Sequence, residues 1–125
     1  MARRKMIKSD KLGSHNNPIP TGVVIGNVVL PSVISGAGPD GISDDPEEQI
    51  RQAFENLRNV MEAAGGSTDN IGKVIFYLKD FSHRALINKE WLAMFPNEDD
   101  RPARHVMQID VQGKTIIQMD VIGVL

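Results

Sequence analysis

Apolar side chains recur along this chain in two rhythms, and the changes of rhythm mark its elements. Ile50, Ala53, Phe54, Leu57, Val60, Met61 and Ala64 repeat every three or four residues. That spacing predicts a helix with one apolar face, and Gln52, Glu55, Asn59 and Glu62 form the other. Its start is marked by Asp45-Pro46-Glu47-Glu48: the aspartate suits the cap, the proline the first helical position, and the glutamates the positive end of the dipole. Gly65-Gly66 predicts its end. A second helical repeat holds Leu86, Ile87, Trp91 and Met94, begins at a Ser82 cap and stops before Pro96.

Strand patterns surround these helices. The β-branched runs on either side of Gly26-Asn27, over residues 22–30, predict a hairpin with a tight turn. Residues 35–41 are glycine-rich but lack the lysine and spacing of a phosphate loop, so they read as an ordinary connection. Residues 73–78 predict a strand that is apolar on both faces, as in a central strand covered on both sides. A charged loop over 96–102 leads to two last strands, 103–109 and 115–124, joined by a turn at Gln112-Gly113. The order is β-β-α-β-α-β-β, which predicts an α+β fold, a mixed sheet with both helices on one face. Two helices cover only one face, so the apolar remainder of the strand at 74–78 calls for another copy of the chain.

Composition narrows the picture. The 125 residues suit one domain, and 41% hydrophobic with 24% charged residues is globular rather than disordered. With no cysteine, disulfides, thiolate metal sites and a cysteine nucleophile are excluded. No apolar run approaches the roughly 20 residues of a membrane helix, and the first eleven residues lack the apolar core of a secretory signal. The expectation is a soluble, cytoplasmic protein that does not engage membranes. Charge is uneven: Arg3, Arg4, Lys5, Lys8 and Lys11 against Asp10 give the first eleven residues +4, and the rest carries −6. Residues 1–17 are therefore expected to form a flexible basic arm, ahead of a single domain over 18–125. An acidic body argues against nucleic acid as a partner. His15, His83 and His105 are too far apart in sequence for a metal-binding pattern, so no metal site is expected.

Four segments, taken in order, resemble one family. Residues 49–66, from Gln49-Ile50-Arg51 to Glu62-Ala63-Ala64-Gly65-Gly66, resemble the long helix of the reactive intermediate deaminase (Rid, or YjgF) family. Val74-Ile75-Phe76-Tyr77-Leu78-Lys79-Asp80 resembles its central strand, Pro102-Ala103-Arg104 its Pro-Ala-Arg signature, and Gln118-Met119-Asp120-Val121-Ile122-Gly123 its closing acidic strand. The resemblance implies a chorismate-mutase-like fold and a homotrimer, a barrel-like assembly with clefts between subunits. It implies hydrolysis of reactive enamines or imines of small carboxylic acids to a ketoacid and ammonia, without a cofactor. Older names for the family include endoribonuclease and translation inhibitor.

The same resemblance assigns the candidate site. Arg104 matches the family's carboxylate-binding arginine, and a guanidinium can grip a carboxylate through two parallel hydrogen bonds. From the residues alone, a surface ion pair of Arg104 with Asp99 or Asp100 is the alternative. Gln118 stands where the catalytic branch has a glutamate, and a glutamine orients water but exchanges no proton near neutral pH. Ile19 is the ungapped match to that branch's tyrosine. Asp120 lies on the same strand face as Gln118, about 7 Å along; it is a substitute acid or a structural residue. Ser32 or Ser35 matches a substrate-contacting serine, and Asn88 a helix-borne asparagine near the site. Arg101 is expected to be exposed, and His105 to face away from Arg104. Imine deaminase is thus one reading. A non-catalytic binder of small carboxylates is the alternative, and the acidic body places an endoribonuclease third.

Overall fold

The computed structural model of the protein describes residues 3–13 and 17–125. His15 and Asn16, and with them part of the expected N-terminal arm, lie outside the described residues. The described residues contain nine strands, β1 (Lys5–Met6), β2 (Gly22–Ile25), β3 (Val28–Pro31), β4 (Ile34–Ser35), β5 (Ala37–Gly38), β6 (Gly41–Ile42), β7 (Ile71–Leu78), β8 (Ala103–Gln108) and β9 (Ile117–Val124). Two helices, α1 (Pro46–Ala63) and α2 (Arg84–Met94), complete the fold. A seven-stranded sheet runs in the order β1-β2-β3-β9-β7-β8, with β4 also pairing β9. All neighbours are antiparallel except β7 and β8, which α2 connects as a parallel pair. The expected α+β mixed sheet is present, with short strands added to the five expected.

Both helices pack on one sheet face. The buried stripe of α1 is Ile50, Ala53, Phe54, Leu57, Val60 and Met61, and α2 contributes Ile87 and Trp91. They meet Val74, Phe76 and Leu78 of β7 and Ile117, Met119 and Val121 of β9, all at most 1% exposed. The alternate residues point away from the helices. Ile75 and Tyr77 are only partly covered, and Met6, Leu30, Met107, Ile122 and Val124 are between 37% and 52% exposed. The open apolar face anticipated from the strand at 74–78 is present in the single chain.

The helix ends differ in part from expectation. The C-terminus of α1 is a Schellman motif: the Gly66 amide donates to the Met61 carbonyl, the Gly65 amide to that of Glu62, and Gly65 has φ 96. Asp45 has extended backbone at the N-cap but makes no side-chain cap bond. Ser82 does not cap α2. The chain first forms a 3₁₀ turn, Phe81–His83, and the Asp80 carboxylate accepts the Ser82 amide at 2.8 Å. That bond holds the Asp80 carboxyl below its usual pKa.

Two further features depend on distant contacts. The described part of the N-terminal segment is not structureless: β1 pairs with β2, and Ile7 is 2% exposed. Burial of this one isoleucine draws a basic segment onto the sheet edge. Gln49, on the flank of the apolar stripe of α1, is 1% exposed. Its amide nitrogen donates to the carbonyls of Ser43 and Lys114, each at 3.0 Å, and its oxygen accepts the Ile116 amide at 2.7 Å. One side chain thus ties α1 to the start of β9. Gly36 crosses so close beside it that a Cβ there would lie 2.4 Å from the Gln49 carbonyl oxygen.

Replacing Gln49 with leucine keeps the bulk but orphans those three backbone groups. Each such loss costs about 1–3 kcal/mol where water cannot reach. Gln49→Leu is therefore expected to destabilise the fold by about 2 kcal/mol or more, read as a lower urea midpoint at unchanged m-value.

Candidate functional site

Arg104 sits on β8, the strand that ends the sheet. The parallel register places it opposite Val74, so its side chain stands on the helix-covered face. The guanidinium carbon lies 5.6 Å from the ring centroid of Phe76 and 5.2 Å from that of Trp91. An aromatic wall underlies it: Phe54 stacks on Phe76 at 5.8 Å, and Trp91 meets Phe76 edge-on at 6.0 Å. The alternative of an ion pair with Asp99 or Asp100 is not formed, and among the described residues Arg104 has no acidic partner. Burial holds its pKa below the usual arginine value, and the neighbouring Arg84 charge acts in the same direction. It remains cationic at every physiological pH.

Arg84 opens α2, with its guanidinium carbon 5.0 Å from the Phe81 ring centroid. Asn88 lies one turn further along the same helix face and Trp91 nearly one turn beyond that. Asn88 is exposed, and among the described residues its side chain has no hydrogen-bond partner. Arg84, Asn88 and Arg104 therefore share the helix side of the β8 edge. Arg101, although exposed as expected, is held by its own chain: its Nε donates to the Phe95 carbonyl at 2.9 Å.

Gln118 and Asp120 are elsewhere. On β9 they lie opposite Tyr77 and Ile75 of β7, on the face the helices leave open. Their expected shared face is observed, and among the described residues neither side chain is hydrogen-bonded. His105, opposite Ile75, also faces this side, away from Arg104 as expected. A single chain does not bring Arg104 and Gln118 together: they occupy opposite faces of one sheet. The reason is register, since β8 aligns Arg104 with the inward Val74 while β9 aligns Gln118 with the outward Tyr77.

The two candidate serines separate. The Ser32 hydroxyl donates to the Pro20 carbonyl at 2.7 Å, which engages it in holding the loop after β3. Ser35 is paired across from Gln118, and its hydroxyl accepts the Ala37 amide at 3.2 Å. Of the two, Ser35 adjoins Gln118. Ile19 is 47% exposed and lines a hollow of about 270 Å³ with Met6, Ile7 and Leu12. Among the described residues, no group of three or more histidine and acidic side chains is placed to hold a metal ion. No helix there is long and apolar enough to cross a membrane.

Arg84 is a neighbour of Arg104 that the sequence pattern did not single out. Its spacing of four from Asn88 on a predicted helix is the available signal, but its approach to Arg104 depends on how α2 packs over β8.

Known proteins resemble this chain in sequence and fold. The family model described as endoribonuclease L-PSP matches residues 17–121. A RutC family protein of Pyrococcus abyssi is 25% identical over 124 residues, covering 96% of each chain. The crystal structure of RidA from the Antarctic bacterium Psychrobacter sp. is 28% identical with a TM-score of 0.88, covering 98% of this chain and 100% of that one. E. coli TdcF with bound serine is 25% identical with a TM-score of 0.88, covering 97% and 98%.

Arg104 has no ion pair to lose, and its stacking on two rings, worth about 0.5–1 kcal/mol where water reaches it, is offset by its desolvation. Arg104→Ala is expected to change the unfolding free energy by less than about 1 kcal/mol in chemical denaturation. A loss well above that would mark the residue as a structural one.

Proposed function

The chain belongs to the Rid/YjgF family, which the endoribonuclease L-PSP model describes, and from that premise we propose that it hydrolyses a reactive enamine or imine of a small carboxylic acid. The products are a ketoacid and ammonia. The observation that carries this reading is the state of Arg104: a guanidinium set on an aromatic wall, partly desolvated, beside another cation and with no acid of its own chain. Such a group favours an incoming carboxylate, because a charge-assisted bidentate pair strengthens where water is partly excluded. A family relative that holds serine, E. coli TdcF, supports a small amino-acid-like ligand.

In the hydrolysis, water adds to the carbon of the C=N bond and the C–N bond then breaks. The water oxygen stays on carbon as the new carbonyl, and both its protons leave with nitrogen as ammonia. Arg104 holds the carboxylate and so fixes the C=N group beside it. Gln118 can orient the water but not take its proton. Arg104 and Gln118 stand on opposite faces of one sheet, so one chain offers two part-sites. On this reading a neighbouring copy closes each site, in a homotrimer that also covers the apolar face around Ile75 and Ile122.

A second reading is favoured by one observation. Where the catalytic branch of the family has an acid and a tyrosine, this chain has Gln118 and Ile19. The same cleft would then bind a small carboxylate without turnover. Cleavage of RNA is less well supported, since the net charge is −2 and a nucleic-acid binder usually carries an excess of basic residues.

Light scattering at micromolar concentration is expected to return three chain masses; a monomer would remove the closed site. In calorimetry, Arg104→Ala should weaken binding of 2-oxobutyrate by roughly 2 kcal/mol, or about 30-fold. An unchanged affinity would put the ligand elsewhere.

A missing general acid or base typically slows such steps about 10²–10⁴-fold. Ammonia release from freshly generated 2-iminobutyrate should therefore be slow in the wild type and rise in Gln118→Glu. With Arg104→Ala added, that gain should vanish. Fast wild-type turnover that Gln118→Glu leaves unchanged would show that the glutamine is no handicap. Asp120→Asn serves as the control, since loss of residual turnover there, with the assembly intact, would assign the proton to Asp120.

A further inference from the structure

Arg84 is not accounted for by the carboxylate grip of Arg104. It stands on the α2 face that leads through Asn88 to Trp91, the ring on which Arg104 rests. Its own guanidinium is stacked against Phe81, and the Phe81 amide approaches the Gln108 side-chain oxygen at 3.4 Å, at the far end of β8. Arg84 and Arg104 thus frame the two ends of one strip, which runs between α2 and the last strand of the sheet. Between them lie an aromatic floor and the amide of Asn88.

No acid compensates this pair among the described residues. The described ion pairs use Glu47, Glu48, Glu55 and Asp44, and their partners are Lys89, Arg51, Arg58 and Lys114, not Arg84 or Arg104. Asp80, four residues before Arg84, and Asp100, four before Arg104, form no ion pair with either; the Asp80 carboxylate accepts the Ser82 amide instead. Two like charges held on one strip repel each other, and the effect on Arg104 is visible as a lowered pKa, with burial the larger cause and Arg84 the second. A single carboxylate at Arg104 leaves the second cation unmet. An anion with two separated negative groups would meet both.

We propose that Arg84 is a second anion-contacting residue of the Arg104 site, and that the acid this site takes is a dicarboxylate, with the 2-carboxylate on Arg104 and the distal carboxylate on Arg84. This rests on the reading of Arg104 as the carboxylate grip and narrows the substrate class within it. The imine would be that of a 2-oxo dicarboxylic acid, so the reaction that supplies it is oxidation of the C–N bond of an acidic amino acid, or loss of water from one that carries a 3-hydroxyl group. Asn88, between the two guanidinium groups and without a partner among the described residues, is placed to bond the nitrogen or oxygen on the central carbon. The exposed position of Arg84 makes the second contact sensitive to salt, because exposed charges are screened beyond about 10 Å at 0.1 M.

The test compares acids matched in carbon count, by calorimetry on the intact protein. The probes are 2-oxoglutarate against 2-oxopentanoate, and oxaloacetate against 2-oxobutyrate. Wild type is expected to bind at least one dicarboxylate about tenfold more tightly than its monocarboxylate partner, a difference of about 1.4 kcal/mol. That ratio should fall towards one in Arg84→Gln, which keeps part of the stem over Phe81, and shrink with added salt in wild type. Arg84→Lys should restore part of it.

The outcomes separate the two claims. If wild type binds the monocarboxylates through Arg104, as shown by their loss in Arg104→Ala, but shows no preference in either pair, the dicarboxylate inference is overturned and the carboxylate grip stands. A preference that survives Arg84→Gln overturns the inference equally and also leaves the grip standing. If Arg104→Ala binds 2-oxopentanoate as wild type does, the grip itself falls and the inference falls with it.

Discussion

Phe76 is where the fold and the candidate site become one problem. Fully buried at the centre of β7, it stacks against Phe54 of α1 and meets the edge of Trp91 of α2, which in turn packs on Phe95 at 4.8 Å. Each such aromatic pair adds about 0.5–1.5 kcal/mol beyond the area it buries. The cluster therefore fixes how both helices lie on the sheet. Its outer rim is the surface on which Arg104 rests. The guanidinium is positioned by the same contacts that hold the core, so the cation does not depend on a mobile loop or an ion pair for its placement. A site built on a packed strand and helix keeps its geometry better than one built on loops.

The sheet then divides the chemistry. Its helix-covered side carries the cations, and its open side carries Gln118, Asp120 and Ser35 among exposed apolar residues. The division follows from strand alternation, which sends neighbours in sequence to opposite faces. Neither side is a closed cavity in one chain. The exposed apolar face and the unpaired outer edge of β8 are the surfaces a neighbour would cover, and edge strands rarely stay bare. On the proposed reading, assembly is part of catalysis, because it excludes water from Arg104 and brings a second chain's groups to it.

What the sequence made legible was whatever rests on local pattern. The apolar stripe of α1, the hairpin at Gly26, the two-sided strand β7 and the glycine stop at Gly65 all follow from spacing and backbone preference, and all are present. What it hid was set by partners far along the chain. Gln49 reads as an ordinary polar helix residue, and only the backbone of Lys114 and Ile116 makes it a buried staple. Ser82 does not cap α2 because it lies inside a 3₁₀ turn that Asp80 caps, which leaves His83 at the start of the helix without a side-chain cap bond. The short strand β1 exists because Ile7 finds cover beside Gly22, and nothing in a basic segment announces that. The candidate site was legible as a set of residues and not as an arrangement. Arg104, Asn88, Gln118 and Asp120 were named through a family motif, but which face each one takes depends on register between strands that are distant in sequence.

The electrostatics of the site separate holding a ligand from transforming it. A guanidinium partly removed from water and placed near another is in an unfavourable state until an anion arrives. On the proposed reading, binding then gains the new charge-assisted bonds and also offsets the repulsion between Arg84 and Arg104. That gain is available to the bound substrate as much as to its transition state, so it favours affinity and does little for rate. Rate requires a group whose proton affinity can change during the reaction. The arginines stay charged throughout, and Gln118 stays neutral. A carboxylate with a shiftable pKa is the element this arrangement lacks within reach of Arg104 in its own chain, and Asp120 is the acid closest to where the family places one. On the proposed reading, the balance between a fast hydrolase and a tight binder therefore turns on the open face of β9, while the affinity that both require comes from Arg104 on its aromatic floor.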